Sequence, residues 1–390
     1  MSTGRHLIDQ ATVYLGQDLE PTEGMALLIE NGSIVRIGPS ELLRPTVLPQ
    51  QVIDYPGCHV VPGLIDCHSH LSLDCSLENY LGRMNGSETE LAIIATKTMV
   101  KDLRSGVTTS RCMGDRFYID VFCRKAVEDG FVVGPQLKVS GIGMRASHGH
   151  GFVGMPFDGE KMLRQAVRSN IKQGVDWIKF YSTGTAIQPD GQVISYYTRE
   201  EIAAIIEEAH QAGTPVTSHC IGGQAMHDCI DLGIDCIEHA YYADSSHLEA
   251  LRNSGTMVCL TPSEYFTDKP HMPPKTQETF RKCRPTVQQS MEMIVQSGIS
   301  FVLGTDGMHG ELAMEARYAV GFGADPRTVL QSLTSRAARF LGLGHETGSI
   351  ETGKCADLVV IEDDPLKDML NLKRIRQVYK SGLPIRGILS

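Results

Sequence analysis

The chain has 390 residues, 42% of them hydrophobic and 21% charged, with a formal net charge of −10. That length exceeds one small core, the composition is that of a folded globule, and an acidic balance without a basic cluster argues against nucleic acid or an anionic membrane as partner. No apolar run reaches the roughly 18 residues of a membrane span, and "MSTGRHLIDQ" lacks the apolar core of a signal peptide, so a cytoplasmic protein is expected.

Near the start, "GMALLIENGSIVRIGP" sets Asn31-Gly32 between two strand-like runs, a strong hairpin signal. Next comes "VVPGLIDCHSHL", Val60 to Leu71, a buried run that ends in an alternating His68-x-His70 pair. Seven more short apolar runs follow: "GVTTSRC", "QLKVSG", "WIKFYS", "PVTSHC", "CIEHA", "MVCLTP" and "FVLGTD". Helical patterns separate them, as in "TREEIAAIIEEAHQAG", where Thr198 and Glu201 form a capping box and Gly213 ends the helix. Strands alternating with helices predict parallel βα units, and eight is the number that closes a (β/α)8 TIM barrel. The tail, "GSIETGKCADLVVIEDD" and "IRQVYKSGLPIRG", returns to the strand-rich style of the start. The expected architecture is α/β, a barrel over 58–344, with a small β-sandwich domain assembled from 1–57 and 345–390. Eleven cysteines without a C-x-x-C pair form neither a disulfide framework nor a zinc ribbon.

Side chains two apart on a strand share a face, so His68 and His70 point the same way. They are either polar residues where a strand meets solvent or ligands of one metal ion. Barrel active sites sit at the C-terminal strand ends. There, strand four carries Lys179, strand five ends in His219, strand six in His239 and strand eight in Asp306. Four histidines, a lysine and an aspartate would converge on one mouth, which favours the metal reading. His210, His227 and His247 fall in helical patterns and read as solvated or capping. Alternation turns Cys220 away from the mouth, towards packing.

The motifs "ENGSIVRIG", "PGLIDCHSH", "GVTT", "IEHA", "GTDG" and "GSIETGKCADLVVIEDDP" resemble those of the amidohydrolase superfamily, metal-dependent hydrolases on a (β/α)8 barrel, over nearly the full length. "GVDWIKFYSTG" is similar to the branch of Xaa-Pro dipeptidases, N-acyl-amino-acid carboxypeptidases and ochratoxinase-like amidases, with imidazolonepropionases as relatives. The resemblance implies that His68 and His70 bind the more buried of two divalent ions. It implies that Lys179 carries a CO2-derived carbamate bridging both, and that His219 and His239 bind the second. Asp306 corresponds to the aspartate that binds metal and shuttles the proton, and His150, in "GHG", to a substrate-facing histidine. Zn²⁺ suits this donor set, with Mn²⁺ or Co²⁺ as substitutes. The chemistry implied is cleavage of an amide C–N bond by a metal-bridging hydroxide, and a homo-oligomer is expected.

One position departs from the branch. Ile221 stands two residues after His219, where a polar residue is often found, so Tyr241 or Tyr242 is a candidate replacement hydroxyl. Asp176 could instead pair with Lys179 and leave that lysine purely structural. His148 reads as a bystander, and Arg145 or Arg83 as a candidate fork for a substrate carboxylate. Two other functions compete. A mononuclear deaminase, or a hydrolase of cyclic amides, ureas or carbamates, would use the same barrel, and deaminases of this kind lack the bridging lysine. A catalytically dead scaffold would have lost ligands.

Overall fold

The computed structural model describes residues 4–185, 187–188 and 191–385. All eight predicted runs are strands: Leu64–Ser69, Val107–Cys112, Gln136–Lys138, Ile178–Tyr181, Val216–Gly222, Cys236–Tyr242, Met257–Leu260 and Phe301–Leu303. They lie in parallel register in two sheets. The first three strands form a three-stranded sheet. The last five form a seven-stranded sheet with two short strands, Met144–Arg145 and Met155–Pro156, added at its edge. A few backbone hydrogen bonds cross between the sheets. Trp177 N donates to Val139 O (3.1 Å) on one side and Asp306 N to His68 O (2.9 Å) on the other.

Helices alternate with these strands and bury one face each, as a 3.6-residue period requires. Arg199–Gln211 buries Ile202, Ile205, Ile206 and Ala209, and Glu160–Lys172 buries Leu163, Ala166 and Val167. The Thr198–Glu201 capping box is present, with Thr198 N donating to Glu201 Oε2 at 2.9 Å.

The terminal segments form two further sheets. Met25–Glu30 and Ser33–Pro39 are the antiparallel hairpin expected around Asn31-Gly32, and both turn residues have positive φ (49° and 84°). The six-stranded sheet joins both ends of the chain, because Leu358–Ile361 pairs with His59–Pro62. The run read as one strand from Val60 is therefore two. Pro62 lacks an N–H for a ladder, and at Gly63 a Cβ would sit 2.1 Å from Thr108 Oγ1, so only glycine passes there between sheets. No helix among the described residues is long and apolar enough to cross a membrane. All eleven cysteines are free.

Candidate metal centre

The C-terminal ends of the parallel strands surround a cavity of about 260 Å³, lined by His68, His70, His150, Lys179, His219, His239 and Asp306 among others. Every one of the strand-end residues singled out in the sequence thus reaches a single cavity. The ring centroids of His68 and His239 are 4.8 Å apart, and those of His219 and His239 4.4 Å apart. His68 Nε2 and His70 Nε2 approach Asp306 Oδ1 at 3.3 and 3.5 Å.

Each of the four strand-end histidines has one nitrogen committed to the protein. His68 Nδ1 donates to Glu238 Oε2 (2.7 Å) and His70 Nδ1 to Gly114 O (2.6 Å). His219 Nε2 donates to Gly184 O (3.0 Å), and His239 Nδ1 lies 2.7 Å from Thr261 Oγ1. The other nitrogen of each ring is left for a ligand, the arrangement by which outer partners fix a ligating tautomer. Burial pushes His70 down to about 3 and His150 to about 4, and holds His219 and His239 well below the usual imidazole range. Neutral imidazole is the ligating form.

Lys179 is fully buried, and its Nζ has no hydrogen-bond partner among the described residues. Asp176, the alternative partner, is engaged elsewhere, by Arg124 (2.7 Å) and Lys138 (3.1 Å). Burial, the largest influence, lowers the Lys179 pKa despite the nearby Glu238 and Asp306 carboxylates. A buried amine whose pKa is lowered, lining one cavity with buried histidines, gives a set of nitrogen donors close together. One group, His68, His70 and Asp306, has ligand atoms all within 4.8 Å of one another. These residues fit divalent metal.

The backbone is strained to achieve this. His239, Ala240 and Asp306 have φ of 78°, 54° and 49°, left-handed values that cost a non-glycine residue about 1–3 kcal/mol. Gly304 lets the eighth strand approach the first, since a Cβ there would fall 2.3 Å from His68 Cβ.

Sequence reading missed a buried outer layer. Glu238, besides holding His68, accepts from Arg111 Nη2 at 2.6 Å and from the Thr217 hydroxyl. Arg111 is itself sandwiched between Trp177 and Phe340, 4.8 and 4.9 Å from their ring centroids. Asp66 accepts from His68 N (3.0 Å) and the Thr305 hydroxyl (2.6 Å), tying the first strand to the eighth. His309 bridges Asp102 (2.8 Å) to the carbonyl of His70 (3.2 Å). The only sequence signal was a general one that named no partner: charged residues inside apolar runs are rarely buried without a task.

Other candidates separate cleanly. Tyr241 lines the cavity, with its hydroxyl donating to Thr261 O (3.0 Å), whereas Tyr242 is outside the cavity and meets Tyr265 (3.1 Å). Ile221 and Cys220 are buried away from the cavity. His148 packs on Tyr196 outside it. His247 caps its own helix through Asp244 and is buried, while His210 pairs with Asp235. Arg145 and Arg83 do not reach the cavity. Arg145 donates to Ala146 O and Ser147 O, and Arg83 to Glu90.

A profile of the amidohydrolase family matches residues 59–384. The chain belongs to the amidohydrolase family. As a family member it is a hydrolase acting on carbon–nitrogen bonds. It is 26% identical over 423 aligned positions to an ochratoxinase of Aspergillus niger, covering 97% of this chain and 86% of that one. It is 25% identical to an imidazolonepropionase of Shewanella frigidimarina over 361 positions, covering 85% and 84%. Among solved structures, a Xaa-Pro dipeptidase with bound methionine superposes with a TM-score of 0.83 at 24% identity, over 98% of this chain and 99% of that one, a likeness of fold.

Proposed function

We propose that this amidohydrolase cleaves the amide C–N bond of an N-acyl amino acid, a dipeptide or a related amide at a two-metal centre. The observation that carries the reading is Lys179, a buried amine with no hydrogen-bond partner among the described residues, in a cavity lined by five histidines. The two parallel sheets would be arcs of one (β/α)8 barrel, which places all eight strand ends around that lysine.

His68 and His70 would hold one ion and His219 and His239 the other, with Asp306 beside the first. Divalent ions there, Zn²⁺ by the donor set, would activate a water and polarise the amide carbonyl. Lys179 would serve as a ligand to the ions once its deprotonated amine adds to CO2, forming an N–C bond and releasing one proton. The carbamate would put an oxygen-donor anion in place of the amine.

The chain's own groups manage the proton. Burial opposes ionisation of the Asp306 carboxyl, but a charged His68 offsets it and holds Asp306 well below the usual carboxylate range, and a cation held by a neutral His68 would act in the same direction. It is therefore ionised at neutral pH and able to accept the proton of the attacking water and return it to the leaving nitrogen. Leu73, Met84, Val153, Met272 and Phe280 give the cavity part of its apolar wall.

The ochratoxinase and Xaa-Pro dipeptidase relatives favour this reading over ring-amine deamination. The test is a hydrolysis screen of N-acyl amino acids, dipeptides, carbamates and ureas on metal-loaded protein, alongside metal analysis. Amine release with close to two ions per chain, abolished by a chelator, is expected. Ammonia released from ring amines without amide cleavage would replace this reading with the deaminase one.

A further inference from the structure

The cavity holds one cation besides Lys179 and the histidines, Lys269, in the segment after the seventh strand. Lys269 is 3% exposed. Among the described residues its Nζ meets a single hydrogen-bond acceptor, the Glu264 carboxylate, which also lines the cavity. An ammonium has three N–H donors, so two are without a protein acceptor. Burying an ammonium in an apolar wall with its donors unspent is expensive, and such groups are kept where a ligand completes them. The cavity lining also includes Cys75, Tyr80, Met272, Thr276 and Phe280, and of these Cys75 and Tyr80 are near enough to Lys269 to act on its charge. Burial works against the charge on Lys269, but Glu264 outweighs it and keeps the side chain protonated.

We propose that Lys269 is the specificity-determining residue that receives the carboxylate of the substrate's amino-acid half, and that Glu264 competes with that carboxylate for it. The inference rests on the amide-hydrolase reading above and adds the residue that selects the substrate. Two consequences separate recognition from mere loop stability. The pair sets selectivity between charged and neutral forms of one molecule, because only the charged form engages Lys269. And the two partners act in opposite directions: losing Lys269 weakens carboxylate binding, whereas neutralising Glu264 strengthens it. A structural ion pair predicts the same sign for both.

The experiment compares N-acetyl-L-phenylalanine with N-acetyl-L-phenylalaninamide, following release of the free α-amine. Calorimetry of the acid on the same metal-loaded proteins reads binding even where no bond is cut. For Lys269→Met the ratio of kcat/KM, acid over carboxamide, should fall by roughly 10–100-fold, the size of a buried charge-assisted hydrogen bond, mainly through KM. Lys269→Arg should restore part of the ratio, and Glu264→Gln should raise it above that of the parent. A parent with no preference for the acid, or a ratio unmoved in Lys269→Met, or a fall in both Lys269→Met and Glu264→Gln, overturns the assignment. If neither compound is cleaved, the amide reading fails separately, and calorimetry then decides on Lys269: weaker acid binding in Lys269→Met supports it and equal binding refutes it.

Discussion

His68 Nδ1 lies 2.7 Å from Glu238 Oε2, and both side chains are wholly buried. The contact sets the tautomer, because a carboxylate can only accept, so the proton sits on Nδ1 and Nε2 faces the cavity. Arg111 and Thr217 occupy Glu238's other oxygen, which fixes the carboxylate plane. Glu238→Gln keeps the shape but can present its amide N–H₂ to the imidazole and so favour the wrong tautomer. Metal affinity at the His68 position should drop roughly 10–100-fold, the usual cost of losing such an outer partner. Titration of the apo-protein against a competing chelator measures it. Unchanged affinity would show that Glu238 serves only Arg111.

Asp306 is placed to carry the proton, with its carboxylate oxygen 3.3 Å from His68 Nε2 and its backbone N bonded to His68 O. Asp306→Asn can still offer an oxygen to a metal but cannot take a proton. Turnover should fall by roughly 10²–10⁴-fold, with metal content close to that of the parent. Near-parental turnover would move the proton role to another group, with His150 the first to test.

The strand ends were legible because their chemistry coincides with a pattern. His68, His219, His239 and Asp306 each fall at or near the end of a short apolar run and Lys179 lies within one, so chain order places them on the strands of one rim. What surrounds them was not legible, for two physical reasons. Alternation along "CIEHA" puts Glu238 on the face opposite His239, where packing is the ordinary expectation, and nothing local reveals that the opposite face holds His68. Left-handed φ values at His239 and Ala240 then break the regular alternation of that strand. Lys269 sits in an irregular segment with no periodicity, so only the fold brings it to the cavity. The run from Val60 was misread as one strand because both halves are buried, and burial on both faces hides the change of sheet at Gly63.

A prediction about stability concerns Glu315, which is buried and raised to about 8 by desolvation. Its Oε2 accepts from Ser263 N (2.9 Å), while Oε1 has no hydrogen-bond partner among the described residues. The folded state holds this proton up to about pH 8, whereas the unfolded chain releases it near the ordinary value of 4.5. The fold therefore binds more protons in that window, and stability falls as pH rises from about 4.5 to 8. Glu315→Gln keeps an acceptor for Ser263 and removes the titration. It should gain on the order of 1–4 kcal/mol at pH 8 and little at pH 4.5. Denaturant melts at both pH values check this, and an equal effect at both would refute it.

The last prediction concerns carboxylation of Lys179. An ammonium there would be buried with no counter-ion contact among the described residues, beside histidines whose own protonation burial already suppresses. Burial lowers the lysine's pKa, so the amine reaches the neutral form that adds to CO2, and the product is an anion suited to bridge cations. Reconstitution of apo-protein should therefore depend on bicarbonate, and the intact holo-protein should gain the mass of one carboxyl group. Lys179→Ala should lose metal as well as turnover, because it removes an oxygen donor shared by both positions. Acetate, a short carboxylate able to enter the space left, should restore part of each. Full metal loading in the strict absence of CO2, or a Lys179→Ala protein that keeps its metal, would show that the amine plays no part in holding the ions. The deaminase reading would then gain, since a mononuclear site has no need of a bridge.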